Sequence, residues 1–296
     1  MKKFDLQGSI VAIVTPFLEN GDIDVDAFDA LIDFHLNNDT DGIVVCGTTG
    51  ETPALTGDED AFLIERAVKR VNGRIPVIAG TGSNSTQECI KYSRKAEAIG
   101  VDAVLVVGPY YNKPTEKGMY MHFATVAEAI DVPIVLYNVP SRTGSRISVG
   151  VAIRLANDFE NIVAIKEASG DMTLFAELIA LRPAGFKVYS GDDFLAASAN
   201  VLGADGCISV IANVIPKEFA QLMKYSLNAQ VKEMNAIFYK YLRLMDLMFI
   251  ESNPIPVKTT LALMGKVGEV FRSPMCGMEE ANKALLLNEL KKLEII

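Results

Sequence analysis

Lys166 closes a run of four apolar residues, Ile162 to Ile165, in the stretch "NIVAIKEASG". A charge placed where burial continues is unusual, although many strands simply end on a solvated lysine. An amine held against apolar walls gives up its proton readily, and a neutral amine attacks carbonyl carbons. The product is a Schiff base. Once protonated it is an electron sink, so a bound 2-oxo acid can lose a proton and become an enamine nucleophile. Other stretches carry side chains that suit this chemistry: Thr48 and Thr49 in "GTTGE", Tyr110 and Tyr111 in "PYYNKP", Tyr137 and Arg142 in "YNVPSRTG". Imine formation needs a proton shuttle, and a tyrosine hydroxyl linked through a threonine hydroxyl can serve. The turn "GTTGE" offers hydroxyls and backbone N–H groups to a small carboxylate, and Arg142 offers a forked donor to a second one. Singly, these residues have plainer uses: threonines in turns, tyrosines as core aromatics with a wet tip, an arginine solvated on a loop.

Several other chemistries are disfavoured. The chain has only two histidines, His35 and His122. Hydrolase triads usually need one, and most zinc sites need several. Both fall in helical patterns and read as ordinary helix residues. The four cysteines, Cys46, Cys89, Cys207 and Cys276, form no C-x-x-C pair and read as reduced core residues of a cytosolic protein. A formal net charge of −9, with no basic block, argues against nucleic acid. "MKKFDLQGSI" lacks the apolar segment of a signal peptide, and no apolar run approaches the roughly 18 residues a membrane span requires.

The elements that must position these residues recur along the chain. Eight short runs rich in Val and Ile, beginning with "SIVAIVTP" (9–16) and ending with "GCISVIAN" (206–213), alternate with amphipathic helical stretches. The runs do not alternate with polar residues, as expected of parallel strands buried on both faces. This predicts an α/β fold, a (β/α)8 TIM barrel. A doubly wound sheet is the alternative, but it wants a glycine-rich phosphate turn after the first strand, where this chain has "VTPF". After residue 214 only helical patterns follow. The division expected is a barrel domain, residues 1–224, and a C-terminal helical extension, residues 225–296. The Met and aromatic residues near 234–249 sit at helical spacing and suit core or subunit packing.

Active sites of such barrels lie at the C-terminal mouth. Strand 2 would deliver Thr48 and Thr49 there; strand 4, Tyr110 and Tyr111, with Asn112 beyond; strand 5, Tyr137 and then Arg142. Strand 6 would deliver Lys166, with Ala164 and Ile162 on the same lumenal side. Strand 7 would deliver Gly191, Asp192 and Asp193; strand 8, Ile208, Ser209 and Asn213. The two aspartates read as solvated residues or helix caps, with no catalytic role.

"GTTGE", "PYYNKP", "YNVPSRTG", "IKEASGD" and "SGDD", in this order and spacing, resemble the dihydrodipicolinate synthase (4-hydroxy-tetrahydrodipicolinate synthase) family. The resemblance runs from "GSIVAIVTPF" to "NPIPVK" and beyond, nearly the whole chain. N-acetylneuraminate lyase and its relatives share the Schiff-base lysine and a similar glycine turn, but not the arginine of "PSRTG". The resemblance implies a class I lyase of lysine and diaminopimelate biosynthesis. It would condense pyruvate with L-aspartate 4-semialdehyde to 4-hydroxy-tetrahydrodipicolinate, with no metal or organic cofactor. Lys166 then matches the residue that binds pyruvate, and Tyr137 the proton carrier beside it. Thr48 would link Tyr137 to Tyr111, which in this family crosses a dimer interface into the neighbouring subunit. Thr49 matches a ligand of the pyruvate carboxylate, Arg142 the residue that recruits the semialdehyde, and Gly191 and Ile208 wall positions giving backbone contacts. A cytoplasmic homotetramer, a dimer of dimers, is implied. Feedback inhibition by L-lysine would involve Thr52, Asn84, Glu88 and Tyr110. Lysine-sensitive relatives often carry histidines after the glycine turn, where this chain has Gly57 and Asp60. "GSNSTQECI" also reads as a helix start, with Ser85 as cap and Glu88 completing a capping box. Two rivals remain at this stage: an aldolase of the same superfamily acting on a sugar acid, and a non-catalytic sensor of a 2-oxo acid.

Overall fold

The computed structural model describes residues 4–296. Eight strands, β1 (Gly8–Ala12), β2 (Gly42–Val45), β3 (Val77–Gly80), β4 (Ala103–Val107), β5 (Ile134–Asn138), β6 (Ile162–Glu167), β7 (Lys187–Ser190) and β8 (Gly206–Ser209), pair in parallel with their neighbours in sequence. β8 returns to β1, from Gly8↔Gly206 to Val11↔Ser209, and closes the barrel. Around it run α1 (Val25–Leu36), α2 (Gly57–Val71), α3 (Thr86–Ile99), α4 (Glu116–Ala127), the short α5 (Pro140–Thr143), α6 (Val149–Asp158), α7 (Met172–Leu181), α8 (Asp193–Val201) and α9 (Pro216–Leu227). Then come α10 (Val231–Leu247), α11 (Ile255–Leu263) and α12 (Glu280–Lys292). This is the (β/α)8 barrel with C-terminal helices that the alternation of apolar runs and amphipathic stretches predicts.

The sequence marks where most outer helices begin. Asp24, Thr56, Ser85, Thr115, Ser148, Asp171 and Asp192 each accept a backbone N–H at the first turn of α1, α2, α3, α4, α6, α7 and α8. Each cap satisfies an otherwise orphaned donor on the side of the barrel where the strands end. Ser85 caps α3 as expected, but the Glu88 side chain does not complete a box; the box forms at α2, between Thr56 and Glu59.

Apolar residues pack in two layers. Ile10, Ala12, Val44, Ile78, Leu105, Val135, Tyr137, Ala164, Tyr189 and Ile208 fill the barrel interior. A larger layer lies between strands and helices. Ile162 belongs to the outer layer, contrary to the expectation that it faces the lumen with Ala164 and Lys166. The β5–β6 register steps from Ile134↔Ile162 to Val135↔Ala164, leaving Val163 as an extra residue. Such a bulge breaks strict alternation and re-aims everything beyond it. Beyond the bulge, Lys166 stands in register between Tyr137 and Tyr189.

Both histidines are helical and structural. His35 meets the Thr40 hydroxyl and His122 that of Thr86, and burial pushes their pKa values down to about 3 and about 4. Cys46, Cys89 and Cys207 are buried free thiols, but Cys276 is exposed, outside the core position expected of it. Among the described residues no helix is long and apolar enough to cross a membrane.

Candidate active site

The strand ends surround a cavity of about 430 Å³. Lys166, Tyr137, Thr48, Thr49, Arg142 and Gly191 all line it, as the reading of the strand ends requires. Lys166 is only 6% exposed, and its Nζ lies over the Tyr137 ring, 4.4 Å from the centroid. The π-face of a tyrosine attracts a cation without fixing it as a carboxylate would. Among the described residues no carboxylate is within ion-pair distance of this amine. Gly191 gives the lysine stem its room. A Cβ there would meet Lys166 Cε and Ala168 Cβ, each at 2.7 Å, so any side chain at this position would displace the lysine.

Thr48 and Thr49 sit on a tight turn, Thr48–Gly50, that follows β2. Its end is held from far away in sequence. Glu51 adopts a left-handed φ of 55°, a conformation that costs non-glycine residues of order 1–3 kcal/mol and persists only when its surroundings over-determine it. They do so here. Lys258 of α11 donates to Glu51 Oε1 at 2.5 Å and to the Val270 carbonyl at 2.7 Å, and its Nζ lies over the rings of Phe17 and Phe271. The Arg272 N–H donates to the other carboxylate oxygen of Glu51. The helices after the barrel thus fix the turn that carries both threonines. Met245, Asp246, Phe249, Ile250 and Asn253, on α10 and just beyond it, also wall the cavity. The sequence reading gave this segment to packing, which Met234, Tyr241, Leu244, Met245 and Met248 bear out. It missed Phe249 and Asn253 as cavity residues; the signal was the polar Asn at the head of "NPIPVK".

Other expected residues fall differently. Ile208 lies in the interior layer below the cavity, and Val210 takes a place on the wall. Asp192 caps α8, as read. Asp193 is not solvated: it is buried and accepts from the N–H groups of Val210 and Ile211, pinning the loop after β8. Burial, the largest influence, pushes its pKa up. Tyr111 is absent from its own chain's cavity. It is 89% exposed and has a left-handed φ of 68°. Among the described residues no cluster of three or more His, Cys, Asp or Glu side chains could hold a metal ion.

A second cavity, of about 450 Å³, shares Thr48, Leu105, Tyr137, Val139 and Arg142 with the first. Thr52, Gly57, Asp60 and Tyr110 line it; Asn84 and Glu88 lie outside its lining. The Asn84 carbonyl instead accepts from Asn112, and Glu88 stands 3.8 Å from Lys91. Asp60 Oδ1 is buried with no hydrogen-bond partner among the described residues, and burial raises the carboxyl's pKa to about 6. Its neighbour Glu59 pairs with Arg272, whose hydrogen bonds hold it down at about 2.

A buried lysine shares its cavity at the top of a closed barrel with a tyrosine and two threonines, and among the described residues it has no carboxylate partner. The family model described as the dihydrodipicolinate synthetase family matches residues 5–293. The chain belongs to this family. A 4-hydroxy-tetrahydrodipicolinate synthase of Hydrogenobaculum sp. (strain Y04AAS1) is 47% identical over 98% of this chain and 100% of its own length. A chloride-inhibited dihydrodipicolinate synthase from Acinetobacter baumannii, solved in complex with pyruvate, is 43% identical with a TM-score of 0.97, over 99% of this chain and 100% of that one. The enzyme of Cyanidioschyzon merolae, solved with lysine bound, is 35% identical with a TM-score of 0.96, over 98% and 99%. Within the site the local geometry gives two residues a reason: Gly191 leaves room for Lys166, and Glu51 holds the threonine turn.

Proposed function

We infer that the chain is a class I lyase that condenses pyruvate with L-aspartate 4-semialdehyde to 4-hydroxy-tetrahydrodipicolinate, a step of lysine and diaminopimelate biosynthesis. The observation that carries this reading is Lys166: buried, inside the mouth cavity, and without a carboxylate partner among the described residues. Its Nζ attacks the C2 carbonyl of pyruvate, and water leaves as the imine forms. The protonated imine draws electrons from C3, which loses a proton to give the enamine. C3 then adds to the aldehyde carbon of the semialdehyde, whose oxygen takes a proton to become the hydroxyl, and the semialdehyde's amino group attacks C2 and expels Lys166 Nζ as the ring closes. Tyr137, next to Lys166 across the β5–β6 pair, carries the protons, relayed through Thr48. Thr49 takes the pyruvate carboxylate, and Arg142, at the junction of both cavities, takes that of the semialdehyde. Gly191 and Val210 supply the wall, with Ile208 in the interior layer beneath.

Tyr111 completes the relay in a neighbouring subunit's site, within a homotetramer built as a dimer of dimers in the cytoplasm. Its exposure and left-handed backbone support this, since a bulky aromatic held out in solvent in a strained conformation has no use within one chain. L-lysine inhibits from the second cavity. There the Asp60 carboxylate, whose Oδ1 has no hydrogen-bond partner among the described residues, offers a counter-ion to an ammonium, near Thr52 and Tyr110, with Asn84 and Glu88 outside the lining. A coupled assay with purified protein, pyruvate and aspartate semialdehyde tests the reaction. Turnover with both substrates is expected; adduct formation with pyruvate but no turnover of the semialdehyde would contradict it. Millimolar L-lysine at low ionic strength should slow the rate, and an unchanged rate would remove the inhibitor from the account.

A further inference from the structure

Asn253 lies between α10 and α11 and is buried. Its Nδ2 donates to Thr49 Oγ1 at 3.0 Å, and its backbone carbonyl accepts from Arg142 Nη2 at 3.3 Å. One residue of the C-terminal helical region therefore touches both groups assigned above to substrate carboxylates. The two links differ in kind. The bond to Arg142 uses the main chain and survives any side-chain change; the bond to Thr49 depends on the amide.

A threonine hydroxyl has one proton and two lone pairs. The Asn253 amide occupies one lone pair of Thr49, which leaves the proton for another acceptor. Thr49 faces the mouth cavity, so the acceptor available is an anion bound there. The other end of the amide is instructive too. Asn253 Oδ1 is buried and takes no hydrogen bond among the described residues, a cost that an apolar side chain of similar size would avoid. We propose that Asn253 is a positioning residue that holds the Thr49 hydroxyl as a donor toward the carboxylate of the 2-oxo acid. The inference rests on the reading that Thr49 binds that carboxylate.

The test compares full-length Asn253→Asp, Asn253→Ala, Thr49→Val and Thr49→Val/Asn253→Asp in steady-state kinetics with both substrates. Aspartate keeps the shape of asparagine but can only accept, so it claims the Thr49 proton. Asn253→Asp should raise the KM for pyruvate about 10- to 100-fold, and Asn253→Ala, which only frees the hydroxyl to rotate, about 3- to 10-fold. The KM for the semialdehyde should move less than about 2-fold, because the carbonyl that holds Arg142 remains. On the Thr49→Val background most of the aspartate effect should vanish, because the hydroxyl it acts through is gone. An aspartate effect of full size on that background would be direct charge repulsion and would overturn the proposal. So would an unchanged pyruvate KM in both single variants, or parallel losses in both substrates and in thermal stability. A Thr49→Val enzyme with normal pyruvate KM would instead overturn the role of Thr49, and the inference with it.

Discussion

Lys166 and Lys258 are both buried, at 6% and 0% exposure, yet their surroundings differ in one decisive way. Lys258 has a carboxylate at 2.5 Å, a carbonyl at 2.7 Å and two aromatic rings. Burial pulls its pKa down, Glu51 opposes that pull, and the pair serves to anchor a turn. Lys166 has an aromatic face and an open cavity, and no carboxylate within ion-pair distance among the described residues. The same contrast recurs one residue apart in α2. Glu59, paired with Arg272, is pulled down to about 2, while Asp60, which forms no ion pair among the described residues, is pushed by burial up to about 6. Burial alone does not make a reactive group. Lys258 and Glu59, which form ion pairs, hold structure; Lys166 and Asp60, which form none among the described residues, line cavities.

The sharpest break in this comparison is to remove each lysine in turn. Lys166→Ala should abolish turnover while leaving thermal stability intact, because no ion pair is broken. Tyr137→Phe should keep the ring under the amine but lose the hydroxyl, lowering kcat by roughly 10²- to 10⁴-fold, the usual contribution of a positioned acid–base group. If kcat is unchanged, protons travel by another route. Lys258→Met strands the Glu51 carboxylate, which should cost about 3–5 kcal/mol in denaturant unfolding; a further Glu51→Gln change should recover part of it. A Lys258→Met protein as stable as the parent would show that the turn is held by other contacts.

Arg142→Ala should reduce kcat/KM for the semialdehyde by about 1.5–3 kcal/mol while sparing imine formation with pyruvate. Equal losses in both steps would mark Arg142 as structural. The smallest effect concerns Asp60. Its folded pKa lies above its unfolded value near 3.9, so the folded state holds the proton more tightly and stability falls as pH rises from about 4 to about 6. Asp60→Asn removes this dependence. The variant should be more stable than the parent at pH 8, by on the order of 1–2 kcal/mol, and the difference should close by about pH 4. An advantage that persists at pH 4 would have another origin.

The barrel was legible because strands buried on both faces read as unbroken apolar runs, and the caps at Ser85 and Asp192 marked the starts of α3 and α8. The mouth residues Lys166, Tyr137, Thr48, Thr49 and Arg142 were legible for the same reason: each lies near the end of a strand or in the short segment after it. What escaped depended on contacts distant in sequence. Ile162 was misplaced because a single extra residue, Val163, reverses the alternation, and nothing in its apolar neighbours marks the bulge. Asp193 looked like a cap because "SGDD" precedes a helix, whereas its partners Val210 and Ile211 belong to the next strand's loop. Asn253 and Phe249 became visible only once α10 folded across the mouth.

The central claim is that the unpaired lysine, and not the paired one, carries the reaction. Borohydride reduction in the presence of pyruvate, followed by peptide mass mapping, tests it most directly. The account predicts one added mass, on the peptide containing Lys166, retained in Lys258→Met and absent from Lys166→Ala. Labelling at Lys258, or labelling that persists in Lys166→Ala, would contradict it.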